Sequence, residues 1–413
     1  MDKTMLNQVE HIVGRIQELA AISETVSGIT RRYGTPAARE AGNRVLDWMR
    51  QAGLQTRVDA IGNIRGRWLS DNPAAKTLVI ASHLDTVVNA GRWDGPLGVV
   101  TGLEIIENLI RRKIKLSCHI ELIAFCDEEG VRFHTTYLGS RVVAGNFDPR
   151  TLQYRDQEGI TLAEAIAAAG GNTYDLNAEA IPADEWLGYF ELHIEQGPIL
   201  YDRKIPVAVV KAIAGQVRGE VIFTGMAGHA GTVPMYLRKD ALCAAAEYLL
   251  MAEGYAASFG GDLVVTTGKL RITDAASNVI PGEVSCSIDI RSADEDILFA
   301  AQKRLKAFAA AVAARRNLTM NWQVIQSSSP VACDGPMKDL LIDCIERAGY
   351  EPVELVSGAG HDAVPVSAIA PVSMLFVRCF KGISHQPLED VEPSDLAAAL
   401  AVAEDFIINI TKG

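Results

Sequence analysis

The chain has 413 residues, of which 48% are hydrophobic, and it carries a formal net charge of −12 at pH 7. This length and composition predict two folded domains with substantial cores and argue against a disordered protein. The acidic balance also argues against nucleic acid as a partner, because binding to phosphates depends on clustered Lys and Arg.

The first part of the chain alternates between helices and short apolar strands. Apolar residues at helical spacing predict one helix within residues 9–20 and a second within 36–52. Two apolar runs, 76–83 and 120–127, flank a helical stretch at 98–112, which is the pattern of α/β crossover units with buried strands. Ligands of open α/β sheets bind beyond the carboxyl ends of the strands. A functional site is therefore expected where these runs end in acidic residues and histidine.

A different unit is predicted from about residue 215 onward. Its elements are a strand, a helix, two strands, a helix and a strand: 216–224, 238–257, 263–272, 279–291, 295–315 and 319–325. The order β-α-β-β-α-β is that of a ferredoxin-like fold.

The α/β pattern returns after this unit, with helices at 337–348 and 393–410 on either side of an apolar strand at 372–377. The second domain is therefore predicted to be an insertion into the first. The predicted boundaries are 1–213 with 329–413 for the discontinuous domain and 214–328 for the inserted one.

The chain shows no export or membrane signal. Its N-terminus lacks a basic segment followed by an apolar one, and no apolar run reaches the roughly 18 residues of a membrane span. The seven cysteines are scattered and never spaced as CxxC, which is typical of reduced thiols. We therefore expect a cytoplasmic protein that has no membrane partner.

Histidines supply the first sign of chemistry. Five of the eight lie in short strings rich in Gly, Asp or Glu: His83, His193, His229, His361 and His385. The other three have ordinary surface or helix contexts. A hydrogen-bonded structural role is the simpler interpretation of any single histidine, and His361 with Asp362 is most typical of a tight turn. Their recurrence at strand ends and glycine loops favours a common site.

Carboxylates accompany these histidines at the predicted strand ends. In His83-Leu-Asp85, the carboxylate of Asp85 can hold one ring nitrogen while the other nitrogen binds a metal. Asp94 follows in a glycine-bearing loop, and the acidic string 127–129 ends the next strand. A mixed set of His and carboxylate ligands without thiolate suits Zn²⁺ or Mn²⁺ in a catalytic role.

A series of motifs, in this order and spacing, resembles the hydantoinase/carbamoylase family of amidases over residues 10–410. The motifs are Ser82-His-Leu-Asp-Thr86, Trp93-Asp-Gly95, Glu128-Glu-Gly130, Glu191-Leu-His-Ile-Glu-Gln-Gly197, Gly228-His-Ala-Gly-Thr232, Ser277-Asn-Val279 and Gly382-Ile-Ser-His385. The resemblance implies an α/β fold with a di-metal aminopeptidase-like catalytic domain. The inserted ferredoxin-like domain would then serve as a lid and as a dimerisation surface.

The resemblance also implies two divalent metal ions in each subunit. One would be bound by His83, Asp94 and His193, and the other by Asp94, Glu129 and His385, so that Asp94 bridges them. Zn²⁺ or Mn²⁺ is expected, and Co²⁺ or Ni²⁺ is compatible with the same ligands.

Catalytic roles follow from the same resemblance. Glu128 matches the general base, which takes a proton from the attacking water and passes it to the leaving nitrogen. Asp85 would orient the ring of His83 without binding the metal itself. His229 is the candidate donor to the oxyanion that develops on the substrate carbonyl.

Substrate binding is assigned by matching positions. Gln196, Asn278 and Gly360 match residues that hold substrate in the family, and Arg291 offers a bidentate fork for a carboxylate. An arginine at a strand end is more often a surface residue, so the resemblance alone favours this role. Since His229, Asn278 and Arg291 lie in the inserted domain, closure of that domain would complete the site. In the family, some of these residues reach a partner's active site, which implies a homodimer.

The implied activity is hydrolysis of the carbamoyl C–N bond of a small anionic ureido substrate, with release of ammonia and CO₂. Candidate substrates are N-carbamoyl-L-amino acids, allantoate and 3-ureidopropionate, and the sequence leaves open which of them is used. A di-metal aminoacylase or peptidase is the alternative, but relatives that act on peptides have a carboxylate where this chain has His193. A non-catalytic relative would show decay of the ligand set, and every ligand position is filled.

Overall fold

The computed structural model describes residues 3–412, which form two compact units. The first unit consists of the described residues up to Lys211 and from Cys333 onward, and the second consists of Ala212–Ala332. The chain therefore leaves the first unit once and returns to it. None of the helices within residues 3–412 has the length and apolar content that a membrane crossing requires.

The bounds of the elements are given in chain order. The α-helices of the described residues are α1 (Lys3–Ala20), α2 (Pro36–Gln51), α3 (Pro96–Arg111), α4 (Leu138–Val143), α5 (Leu162–Ala168), α6 (Ile199–Arg203), α7 (Ala241–Ala257), α8 (Glu295–Arg315), α9 (Gly335–Arg347), α10 (Ala363–Val366) and α11 (Pro393–Ile410). The strands are β1 (Gln55–Val58), β2 (Ile64–Trp68), β3 (Thr77–His83), β4 (His119–Phe125), β5 (Trp186–Ile194), β6 (Val207–Ile213), β7 (Gly215–Thr224), β8 (Gly228–His229), β9 (Val264–Thr266), β10 (Leu270–Ile272), β11 (Val279–Ile280), β12 (Glu283–Ser292), β13 (Thr319–Ser328), β14 (Val331–Ala332), β15 (Glu354–Ser357) and β16 (Val372–Val377).

A mixed sheet forms the centre of the first unit, in the order β1-β2-β4-β3-β5-β16-β6, with β15 also paired to β6. The four neighbours β4, β3, β5 and β16 are mutually parallel. Every residue of β3 and β4 is buried, which explains why both strands are rich in apolar residues. Parallel strands end at the same edge of a sheet, so the segments that follow these four strands lie together.

Helices pack against this sheet, and the apolar side chains between them form one large core. The core combines α1, α3, α9 and α11 with the buried strands. The ring of Phe406 in α11, for example, lies 4.9 Å from the ring of Phe190 in β5, centroid to centroid. Packing of this kind fixes the strand ends from which the site residues project.

The second unit has its own sheet and core. Its sheet has the order β10-β12-β7-β13, with β9 paired to β12, and all pairs are antiparallel. Helices α7 and α8 pack on it, and the carboxylates of Asp240 and Asp294 cap their first turns. The elements follow one another in the order β7-β8-α7-β9-β10-β11-β12-α8-β13, so the predicted ferredoxin-like order stays a prediction. The lid and dimerisation roles of this unit stay predictions.

Two predicted strands of the second unit are interrupted. The run 263–272 forms β9 and β10, because the backbone N–H groups of Gly268 and Lys269 turn to the hydroxyl of Ser287 and leave the ladder. The run 279–291 breaks at Pro281, which has no N–H to donate. Residues 279–280 pair with β8, and β12 begins at Glu283.

Candidate metal centre

The predicted metal ligands lie together at the carboxyl edge of the sheet in the first unit. His83 ends β3, His193 is the penultimate residue of β5, and Glu129 follows β4. Asp94 lies just before α3, and His385 lies in the segment after β16. The fold therefore assembles five residues that are up to about 300 positions apart in the chain.

One group joins Asp94 to two imidazoles. Asp94 Oδ1 lies 3.1 Å from His193 Nε2 and 3.5 Å from His83 Nε2. Each ring uses its other nitrogen on a backbone carbonyl, at 3.0 Å from Asp85 O for His83 and 2.9 Å from Ile194 O for His193. Since Nδ1 must donate to a carbonyl, a neutral ring leaves Nε2 unprotonated and able to bind a cation.

The other oxygen of Asp94 faces a second group. Asp94 Oδ2 lies 3.2 Å from His385 Nε2, which in turn lies 3.5 Å from Glu129 Oε1. The donor atoms of Asp94, Glu129 and His385 are all within 4.8 Å of one another, as are those of His83, Asp94 and His193. The carboxylate of Asp94 is therefore placed to bridge two ligand groups.

Buried atoms of this centre lack the hydrogen bonds that burial normally demands. Asp94 Oδ1 and His193 Nε2 are both buried and have no hydrogen-bond partner. Buried polar atoms without partners are costly, and a cation between them would satisfy both. The nitrogen and oxygen donors, with no thiolate, fit two divalent ions such as Zn²⁺ or Mn²⁺.

The charges of the centre are strongly coupled. Burial alone would raise the pKa of Asp94, but the imidazoles of His193, His385 and His83 hold that pKa well below its usual value. Burial, with the Asp94 carboxylate nearby, raises the pKa of Glu129 to about 7. The Asp94 carboxylate raises the pKa of His385 to about 9 against the effect of burial. Cations that bind here must therefore displace protons from the ligands.

Asp85 acts differently from the sequence-based expectation. Its backbone carbonyl, and not its carboxylate, accepts the hydrogen bond from His83 Nδ1, and the carboxylate oxygen lies 3.7 Å from that nitrogen. The two carboxylate oxygens accept the backbone N–H groups of Glu128 at 3.0 Å and Glu129 at 3.1 Å. The short spacing of His83 and Asp85 favours the carbonyl contact. The carboxylate of Asp85 is then free to bind the backbone of the segment that follows β4.

Glu128 is buried beside the ligands. Its carboxylate lies in one cluster with His83 and Glu129. Burial raises the pKa of Glu128 well above its usual value, the charges of Glu129, Asp362 and Asp85 add to this, and His83 opposes it. A carboxylate that binds a proton more readily than usual suits a general base that must also deliver that proton.

The predicted substrate residues of the first unit lie close to the ligands. Gln196, at a positive φ of 56°, donates from Nε2 to Asp94 Oδ2 at 2.7 Å. Gly360 lies against Tyr137, and a Cβ at that position would lie 1.8 Å from the tyrosine hydroxyl. Only glycine fits there without displacing the aromatic side chain.

The remaining predicted residues belong to the second unit. His229 in β8 pairs with Val279 in β11, and the carbonyl of Asn278 accepts the N–H of Ala230, so His229 and Asn278 are neighbours. Both are exposed. Arg291 lies in β12 and donates from Nε and Nη2 to the carboxylate of Asp289 at 2.8 and 2.9 Å.

Two further residues lie at this centre. The sequence analysis assigned no role to Glu389 and only a tight turn to His361. The predicted turn at His361 is also a buried contact, because its ring centroid lies 4.6 Å from that of His193 and its Nε2 lies 2.7 Å from Ser357 Oγ. Glu389 accepts the backbone N–H of Asp94 at 3.0 Å. Its only sequence signal is its position four residues after His385.

Comparisons with known proteins show the family of this chain. Residues 79–409 match the model of peptidase family M20/M25/M40. The chain is 37% identical to an N-carbamoyl-L-amino acid amidohydrolase of Geobacillus stearothermophilus, covering 98% of this chain and 99% of that protein. It is 36% identical to allantoate deiminase 2 of Glycine max, covering 97% and 89%.

A solved structure extends the likeness to three dimensions. A hydantoinase/carbamoylase family amidase from Burkholderia multivorans superposes with a TM-score of 0.92 at 32% identity, covering 98% of both chains. The chain therefore belongs to peptidase family M20/M25/M40, and it is a hydrolase of the hydantoinase/carbamoylase group of amidases.

Proposed function

We propose that this protein is a two-metal amidohydrolase that cleaves the carbamoyl C–N bond of an N-carbamoyl-L-amino acid or of allantoate, releasing ammonia and CO₂. The observation that carries the proposal is the bridging position of Asp94 between two His and carboxylate groups, with Glu128 beside them. The activities named for the two relatives support the choice of a ureido bond over a peptide bond.

The chain's own residues supply the proton chemistry. Bound divalent cations would polarise the ureido carbonyl and lower the pKa of a water molecule. Glu128 takes a proton from the attacking water and delivers it to the leaving nitrogen. Asp85 keeps Glu128 in place by accepting its backbone N–H. His229 donates to the carbonyl oxygen as negative charge develops there.

Recognition of the anionic part of the substrate falls to polar residues of both units. Arg291 pairs with the substrate carboxylate, and Asn278 and Gln196 hydrogen-bond to its polar groups. Gly360 lets the backbone approach the substrate closely. Since Asn278 and Arg291 belong to the second unit, binding of substrate requires that unit to act as a lid.

We also propose a homodimer that forms through the second unit. Strand β13 lies at an edge of its sheet, and the side chains of Val324 and Ile325 on it are 45% and 76% exposed. Apolar side chains on an unpaired edge strand favour pairing with another chain. Light scattering on the purified protein should give twice the mass of one chain, and a monomer would contradict this proposal.

The function is tested by comparing substrates in parallel. Protein loaded with Mn²⁺ or Zn²⁺ is incubated with allantoate, several N-carbamoyl-L-amino acids, 3-ureidopropionate and an N-acetyl-amino acid. Ammonia release is measured for the ureido compounds, and the freed amine is measured for the acetyl compound. We expect ammonia from allantoate or from a carbamoyl amino acid.

The same experiment distinguishes the alternative activity. An aminoacylase would cleave the acetyl compound and leave the ureido compounds intact. Cleavage of 3-ureidopropionate alone would keep the bond type and change the proposed substrate. Failure to cleave any of these compounds with either metal would refute the proposed function.

A further inference from the structure

A buried carboxylate that belongs to neither ligand group holds the backbone of the bridging residue. Glu389 is only 2% exposed. Its Oε1 accepts the N–H of Trp93 at 2.7 Å and the N–H of Asp94 at 3.0 Å. Burying a carboxylate is costly unless its hydrogen bonds repay the lost hydration. These two bonds join segments almost 300 residues apart and connect the backbone of Asp94 to the segment that follows His385.

Glu389 also reaches the side chain of Asp94 through a hydroxyl. Ser384 Oγ donates to Asp94 Oδ2 at 2.7 Å and lies 3.2 Å from Glu389 Oε2. The carboxylate of Glu389 therefore contacts the backbone of Asp94 directly, and it contacts the carboxylate of Asp94 through Ser384. Glu389 therefore restrains both the backbone and the side chain of Asp94.

The neighbouring residues leave this contact little freedom. A Cβ on Gly91 would lie 2.4 Å from the Cβ of Glu389, so the two segments touch without room for a side chain. The next residue, Asp390, accepts the indole N–H of Trp93 at 2.9 Å and also pairs with Arg92. The segment at 389–390 is thus packed against 91–94 by several independent contacts.

We propose that Glu389 is a positioning residue for the bridging ligand Asp94 and that it sets the affinity of both metal ions. The proposal rests on the proposed function only in needing the two-cation centre, and it makes no claim about the substrate. Because Asp94 contributes one oxygen to each group, a displacement of Asp94 must weaken both sites together. A disturbance limited to the segment around His385 would weaken only one.

The chemistry of Glu389 allows a conservative test. In Glu389→Gln, the amide oxygen can still accept the two backbone N–H groups, and the amide nitrogen can donate to Ser384 Oγ. Ser384 then keeps its own proton for Asp94. Glu389→Ala removes all of these contacts. A positioning role therefore predicts rescue by glutamine and loss with alanine.

The experiment measures metal binding without substrate. Metal-free wild type, Glu389→Ala, Glu389→Gln and His385→Ala are titrated with Zn²⁺ against a chromogenic chelator, and bound metal is counted by mass spectrometry. Glu392→Ala, an exposed position three residues further on, serves as the matched control. Thermal unfolding of each metal-free variant shows whether the fold is intact.

We expect Glu389→Ala to lose about 10- to 100-fold in affinity at both sites, the range typical of partners that orient ligands. Glu389→Gln should keep most of the affinity, Glu392→Ala should match wild type, and His385→Ala should weaken one site only. Wild-type affinities in Glu389→Ala, or loss of one site alone, would overturn the proposal. Glutamine behaving like alanine would do the same. If the wild type binds two metals but cleaves no ureido compound, the proposed function fails and this inference stands.

Discussion

The carboxylate of Glu128 lies within 4.8 Å of ligand atoms of His83 and of Glu129, which belong to different ligand groups. Its proposed role is proton transfer. We expect Glu128→Gln to bind two metals as wild type does while kcat falls by about 10²- to 10⁴-fold, the usual contribution of a general base. Metal content by mass spectrometry and steady-state ammonia release check this. Glu158→Gln, an exposed substitution in the first unit, is the control. A Glu128→Gln enzyme with wild-type kcat would remove Glu128 from the mechanism.

The protons held by the ligands predict how metal affinity depends on pH. In the metal-free protein the pKa of Glu129 is about 7 and that of His385 is about 9, so at pH 6 both groups are mainly protonated. A cation binds the deprotonated forms, so affinity should rise as pH increases from 6 to 9 and binding should release protons.

Calorimetric titrations with Mn²⁺ at several pH values, each in two buffers of different ionisation enthalpy, measure both effects. A heat of binding that differs between buffers reports the released protons. A metal affinity that is constant over this range, with no buffer dependence, would contradict the protonation states described here.

The five proposed metal ligands were named from the family resemblance, and their motifs lie after buried strands or in glycine-bearing loops. The role of Asp85 was not predictable, since its carbonyl and its carboxylate both lie near a plausible partner and only the backbone path decides between them. Glu389 was also hidden, because its partners Trp93 and Asp94 are almost 300 residues away. Contacts to backbone N–H groups leave no pattern in the sequence.

Among the elements, helix α11 connects the C-terminal part of the chain to the strand that carries His193. Phe406 of α11 is fully buried, and its ring lies 4.9 Å from that of Phe190 in β5. Phe406→Ala should destabilise the protein by about 3 to 5 kcal/mol, because it removes a large buried side chain and leaves a cavity. The urea midpoint of the metal-free protein measures this.

A matched change on the surface separates packing from a general effect of mutation. Val26 is fully exposed, so Val26→Ala should change stability by no more than about 0.5 kcal/mol. An equally small effect of Phe406→Ala would mean that α11 does not stabilise the strand that carries His193.

Periodicity predicted the long elements well, since α8, β16 and α11 have the predicted bounds. It failed for the run 263–272, which is interrupted where two N–H groups bond to the hydroxyl of Ser287. That residue lies on another strand and cannot be connected to the run by local pattern. The break near Pro281 was also missed, because the run 279–291 was predicted as one strand although its Pro-Gly pair is a turn signal.

For the whole molecule, the proposed function requires residues of the second unit to act on a substrate held by the first. Arg291→Ala should raise KM for carboxylate substrates by about 10- to 100-fold, the cost of losing charge-assisted hydrogen bonds, with a smaller effect on kcat. Arg218→Ala is the matched control, because Arg218 also donates to Asp289. An unchanged KM for Arg291→Ala, or an equal rise for Arg218→Ala, would remove Arg291 from substrate binding.

A titration of activity against bound metal tests whether two ions per chain are needed for catalysis. Protein stripped with a chelator is reloaded with Mn²⁺ or Zn²⁺ in known ratios, and ammonia release from its best ureido substrate is followed. We predict no activity in the metal-free protein and full activity at two ions per chain, since Asp94 lies between two ligand groups. Full activity in the metal-free protein, or saturation at one ion, would contradict this prediction.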